Sequence, residues 1–129
     1  MTVLDTNEAV SRWVGTRAPT SLFTTTVTQA EILLGIEVMP KGKRRADLLA
    51  AAEIMFGMVF AGRILPFDSD AAQAMAQIGA RRRRQGRPIS DYDFQIAGIV
   101  ASRGGEVATR DTSGFSDCGI GVTDPSAGK

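Results

Sequence analysis

At 129 residues, 43% hydrophobic and 22% charged, the chain has the composition of one soluble globular domain, taken here as residues 1–129. Its net charge is only +1, so bulk charge announces no nucleic-acid partner; the local basic clusters are "KGKRR" (Lys41 to Arg45) and "RRRRQGR" (Arg81 to Arg87). Histidine is absent and Cys118 is the single cysteine, which excludes histidine bases, Ser-His-Asp triads, mixed Cys/His zinc sites and an internal disulfide.

The first strand is expected at Val3-Leu4, ending at Asp5, with a short helix from Glu8 to about Val14 stopped by Gly15 and Pro19. "SLFTTTV" (Ser21 to Val27) is rich in β-branched and aromatic residues and predicts a strand. From Gln29 to Val38, Ile32, Leu33 and Ile36 recur at helical spacing, and Pro40 ends that helix. A longer helix is expected from Lys43 to Phe60. "RILPFD" then gives a short extended segment that Pro66 keeps from being a central strand. Asp70 to Gln85 predicts a helix capped by Ser69 or Asp68, and Asp91 to Arg103 another, closed by Gly104-Gly105. "EVATR" reads as a strand ending at Asp111 and "GIGV" as a last one; Ser126 to Lys129 is a loose tail. Strands alternating with helices predict an α/β fold, with a parallel sheet covered on both faces.

Four acids sit at the ends of these elements. Asp5 and Asp111 follow strands, and in open α/β sheets ligands bind outside the carboxyl ends of the strands. Glu31 ("TQAE") and Asp93 ("SDYD") fall in the first turns of helices, so all four converge on one edge of the sheet. Gathered carboxylates repel one another unless a divalent cation lies between them. Mg²⁺ or Mn²⁺ prefers oxygen ligands and keeps waters, and a phosphodiester binds the same ions, so nucleic-acid hydrolysis is the natural chemistry. Plainer readings stand beside this one. Thr28-x-x-Glu31 and Ser90-x-x-Asp93 both match a capping box, and Asp5 and Asp111 suit turns.

"LDTN", "TVTQAEILLGI", "FAGRILPFD", "GRPISDYDFQIA" and "VATRD", in this order and over nearly the whole chain, resemble the PIN-domain ribonucleases. The likeness is greatest to the VapC-type toxins of bacterial toxin–antitoxin pairs, including their FitB-like branch. The resemblance implies a three-layer α/β/α fold with a central, mostly parallel sheet. It also implies an endoribonuclease dependent on Mg²⁺ or Mn²⁺, acting in the cytoplasm on an RNA substrate, and a homodimer inhibited by a small antitoxin. Carried over by motif, Asp5, Glu31 and Asp93 hold the metal and Asp111 adds to it directly or through water. Thr6 positions a ligand water or a phosphate oxygen; otherwise it is a turn hydroxyl.

Three features depart from the family pattern. The segment "EAVSRWVGTRAPT" is short, leaving room for one helix where relatives place two, so the N-terminal helical region is shortened. Gly114 stands before Phe115 where many relatives carry an aspartate, and Asp91 is an added acid beside Asp93. Arg82 and Arg83 have two readings, a solvated face complementing the helix dipole or an RNA phosphate contact. Tyr92 and Trp13 either stack on bases or pack locally. Competing classes fit less well. An aspartyl-phosphate phosphatase wants Asp-x-Asp where this chain has Asp5-Thr6-Asn7, and a receiver domain wants a late lysine where Arg110 is the nearest cation. A non-cleaving PIN domain that binds an antitoxin or dimerises is the remaining alternative. Nothing in the chain resembles an export signal, and no apolar run reaches the roughly 18 residues of a membrane span.

Overall fold

The computed structural model describes residues 1–15, 22–86, 91–110, 115 and 118–124, with side chains of the first helix described as far as Val10. The elements in order are β1 (Thr2–Leu4), α1 (Thr6–Gly15), β2 (Leu22–Thr25), α2 (Thr26–Glu37), α3 (Lys43–Ile54), β3 (Ile64–Leu65), α4 (Ser69–Arg84), α5 (Asp91–Ser102), β4 (Glu106–Ala108) and β5 (Gly121–Thr123). The strands form a five-stranded sheet in the order β3-β2-β1-β4-β5, and every pairing is parallel. From β1 the chain steps outward to β2 and β3, then crosses back to place β4 on the other side of β1. That reversal makes the β1/β4 carboxyl edge the topological switch point, where open α/β sheets bind ligands.

Alternation along the two central strands divides the core. Val3 and Val107 face one layer with Ile78, Phe94, Ile96, Ile99 and Val100 of α4 and α5. Leu4 and Ala108 face the other, with Ala9, Ile36, Ala52, Met55, Phe56 and Phe60. Successive strand residues point to opposite faces, so central strands buried at consecutive apolar positions, Val3-Leu4 and Val107-Ala108, must be covered on both. The result is a three-layer α/β/α fold. The single cysteine, Cys118, lies buried in the α4/α5 layer.

Several boundaries differ from the sequence reading, each for a local reason. The strand expected over Ser21 to Val27 ends at Thr25, because the Thr25 hydroxyl accepts the Thr28 N–H at 3.0 Å and starts α2 at Thr26. Threonine is a strand former, but as an N-cap it satisfies one of the helix's orphan donors. Glu31 therefore lies in the second turn of α2, and Thr28 is an interior residue rather than the cap. Helix α1 begins at Thr6, two residues early, because Asp5 caps it. The helix expected to run to Phe60 is α-helical only to Ile54 and then widens to a π-turn over Met55–Val59, closed by the Phe60 N–H on the Met55 carbonyl at 2.9 Å. Asp68, not Ser69, caps α4, and β3 is an edge strand as Pro66 demands. The Ser90 cap and the tail after Asp124 lie outside the described residues.

Candidate active site

The site begins with Asp5, one residue beyond β1 and 6% exposed. Its Oδ1 accepts the Glu8 N–H at 2.8 Å, capping α1, and its Oδ2 accepts the Thr109 hydroxyl at 2.6 Å from just beyond β4. The Asp5 N–H donates to the Ala108 carbonyl at 3.1 Å, so the residue is tied to both strands of the switch point. Each carboxylate oxygen holds one donor and has capacity for another interaction. The two bonds therefore orient the group without exhausting it.

Glu31 joins through hydroxyls. The Thr6 hydroxyl donates to Glu31 Oε1 at 2.6 Å and lies 3.1 Å from the Thr28 hydroxyl, which is 3.4 Å from the hydroxyl of Thr25. A hydroxyl has one hydrogen to give. Because Thr6 spends its own on Glu31, the Thr6–Thr28 bond must run from Thr28 to Thr6. The chain Thr25 to Thr28 to Thr6 then ends on the Glu31 carboxylate as acceptor. Thr25 and Thr28 are fully buried, so these bonds form away from competing water.

Asp93 arrives from the other side. Helix α5 leads through a short turn into β4 and runs antiparallel to it. Its 12 residues span about 18 Å, against roughly 10 Å for the three residues of β4. The first turn, with Asp91 and Asp93, is the end of α5 away from the turn into β4. Asp93 is half-buried and followed by the fully buried Ile96 and Ala97, which fix that helix face on the core. Asp111 follows Thr109 by two positions and itself lies outside the described residues, as does the Trp13 side chain. Among the described residues, no three Asp, Glu or Cys side chains are placed to hold a metal ion by themselves. The donor chemistry nonetheless suits a hard cation, being all carboxylate and hydroxyl oxygen around an oriented, buried Asp5.

One assignment needs correcting. Arg82 is only 3% exposed. It lies four residues after the buried Ile78, on the inward face of α4, so it is not presented to RNA phosphates. Arg83 is exposed and lines a groove with Asp91 and Phe94, and Tyr92 is 41% exposed.

The sequence reading missed Glu8, Thr109 and Arg110. Glu8 is buried beside Asp5, and its Oε2 lies 3.2 Å from Nε of the exposed Arg110. The signal was present: Asp5-x-x-Glu8 is itself an N-terminal helix signature, and Thr109-Arg110 directly follow a strand.

No family model matches the chain. Individual relatives do. It is 35% identical to VapC ribonuclease Y4jK of Sinorhizobium fredii, covering 97% of both chains. It is 34% identical to Toxin FitB of Neisseria gonorrhoeae over 92% of this chain and 86% of that one. Among solved structures, that of FitAB bound to an IR36 DNA fragment superposes with a TM-score of 0.83 at 32% identity, covering 97% of this chain and 95% of that one. With the switch-point fold and the ordered acidic motifs, these likenesses show that the chain belongs to the PIN-domain ribonucleases, in their VapC-type, FitB-like toxin branch.

Proposed function

We propose that the chain is a metal-dependent endoribonuclease, the toxin of a toxin–antitoxin pair, with Asp5, Glu31, Asp93 and Asp111 as ligands for Mg²⁺ or Mn²⁺. The observation that carries this reading is the seating of Asp5 at the switch point, bonded to Thr109 after β4 and adjacent to the Thr6 that holds Glu31. When bound, a divalent cation supplies a water of lowered pKa and polarises a phosphate oxygen. The chain's own residues prepare for it. Glu8 N–H and Thr109 fix the Asp5 carboxylate, and Thr6, itself held by Thr28, fixes that of Glu31. Because the Thr6 hydrogen is committed to Glu31, its role is positioning a ligand rather than donating to substrate. Arg83 and Tyr92, exposed by the start of α5, are the RNA contacts in this scheme.

The solved relatives include FitAB, and on that likeness this chain pairs with a small cognate antitoxin; a homodimer acting in the cytoplasm belongs to the same proposal. Among the described residues no helix is long and apolar enough to cross a membrane. The alternative of a non-cleaving, antitoxin-binding module draws on the observation that the described carboxylates do not enclose an ion by themselves. One assay separates the two. Purified protein should cut a labelled single-stranded RNA in Mg²⁺ or Mn²⁺ and stop on chelation. Asp93→Asn should cut at least about a hundredfold more slowly, since a metal's charge stabilisation is worth several kcal/mol. Undiminished cleavage by Asp93→Asn removes the assignment, and antitoxin binding without any cleavage selects the alternative.

A further inference from the structure

Glu8 and Arg110 form an asymmetric ion pair: the Glu8 side chain is 4% exposed and that of Arg110 59%, with Nε 3.2 Å from Oε2. Glu8 stands one turn into α1 from Asp5, and Arg110 lies between Thr109, which bonds Asp5, and Asp111. The pair therefore stands beside Asp5. We propose that Glu8 orients Arg110 as a phosphate-binding residue, holding the guanidinium over the β1/β4 edge so that it takes an RNA phosphate next to the one cleaved.

Three observations support this. A carboxylate in the buried face of α1 is a costly choice for stability alone, because burying a pair usually returns no more than well-packed apolar residues would. What the pair does deliver is direction. Arg110 is held at Nε while its side chain stays 59% exposed, and among the described residues no further partner of Arg110 is found. A guanidinium presents two parallel N–H donors that match phosphate geometry. Finally, an edge carrying several carboxylates repels RNA, and Arg110 is the cation nearest to it along the chain. Of the two arginines of α4 named for phosphate contact, Arg82 is buried and Arg83 lies by the start of α5.

This rests on the nuclease reading, so the test separates the two. Binding of a short, labelled, single-stranded oligoribonucleotide of mixed sequence is measured against salt in an Asp5→Asn parent, and cleavage of the same probe in the unaltered chain. Each phosphate contact to single-stranded nucleic acid contributes about 0.7 to the slope of log K against log salt. Arg110→Gln should reduce the slope by about that amount, and Arg110→Lys should keep the slope while weakening binding. Glu8→Gln should weaken binding severalfold with the slope kept, and should have no further effect once Arg110 is Gln. A purely structural Glu8 would give the same loss in both backgrounds. Glu8→Ala serves as a second variant, read the same way after its fold is checked by circular dichroism. An unchanged slope in Arg110→Gln, equal effects of Glu8→Gln in both backgrounds, or no binding of the probe by the parent overturns the proposal. If the unaltered chain still cleaves the probe in those cases, the nuclease reading stands without Arg110.

Discussion

Asp5 does two jobs, and substitution separates them. As the cap of α1 it accepts the Glu8 N–H; as a carboxylate it carries a negative charge beside Thr109. Asn keeps an oxygen for the cap, and its amide nitrogen can donate to a Thr109 hydroxyl that rotates to accept. Asn and Asp are near-equal N-caps. Asp5→Asn is therefore expected to fold with stability within about 1 kcal/mol of the parent while losing cleavage. Asp5→Ala removes the cap, worth about 1 kcal/mol, and takes away the carboxylate that the buried Thr109 hydroxyl donates to, a further loss of about 1 kcal/mol. Urea denaturation of both variants checks this; an Asn variant as unstable as the Ala variant would mean that charge, not the cap, holds Asp5 in place. The same residue shows what was legible beforehand. Its place after the first strand and its acidity were plain, but its partners Thr109 and Glu8 were not: one is brought in by strand pairing 104 positions away, the other by a capping turn that looked like the start of a helix.

At the scale of elements, α4 and α5 pack closely where Gly98 meets Ala71 and Met75. A methyl built there would stand 2.5 Å from the Ala71 carbonyl oxygen and 2.9 Å from Met75 Cβ. The obstacle at Ala71 is backbone, which a rotamer change cannot relieve. Overpacking of this kind costs about 1–3 kcal/mol, against about 1 kcal/mol that alanine gains over glycine within a helix. Gly98→Ala is thus expected to lower stability by on the order of 1 kcal/mol, read as a lower urea midpoint at unchanged m-value. A raised midpoint would mean that the crossing opens freely. Element identity was legible because the helical and strand spacings are strong, from Ile32, Leu33 and Ile36 in α2 to the apolar pair Val3-Leu4 in β1. Boundaries were not, where a side chain chose between two structures. Thr24 and Thr25 favour strand until the Thr25 hydroxyl turns to cap α2, and nothing in "EIMFGMV" sets apart the residues that widen into a π-turn from those that stay α-helical. Arg82 is the same lesson on a helix: four consecutive arginines look alike in sequence, and only the register set by Ala71 and Ile78 turns one of them inward.

On the scale of the whole molecule, the fold ties Asp5 after β1 to Thr109 after β4, and the neighbouring Thr6 to Glu31 of α2; the proposed metal site adds Asp93 and Asp111 to these. Anything that binds the folded state and not the unfolded chain stabilises by RT ln(1 + [L]/Kd), about 2.7 kcal/mol at a hundredfold excess over Kd. For a domain of this size 1 kcal/mol moves Tm by roughly 3–5 °C. Saturating Mn²⁺ should therefore raise the Tm of the parent by about 10 °C. An Asp5→Asn/Asp93→Asn variant removes two of the four charges. It should show no Mn²⁺ shift, and without metal it should melt at or above the parent, because the repulsion that the cation relieves is already reduced. The sign of the metal-free difference is the informative part. A variant that melts well below the metal-free parent would show these carboxylates to be structural, as caps and turn residues are. A parent that takes no Mn²⁺ at all would leave the family fold intact and move the chain's function from cleavage to binding.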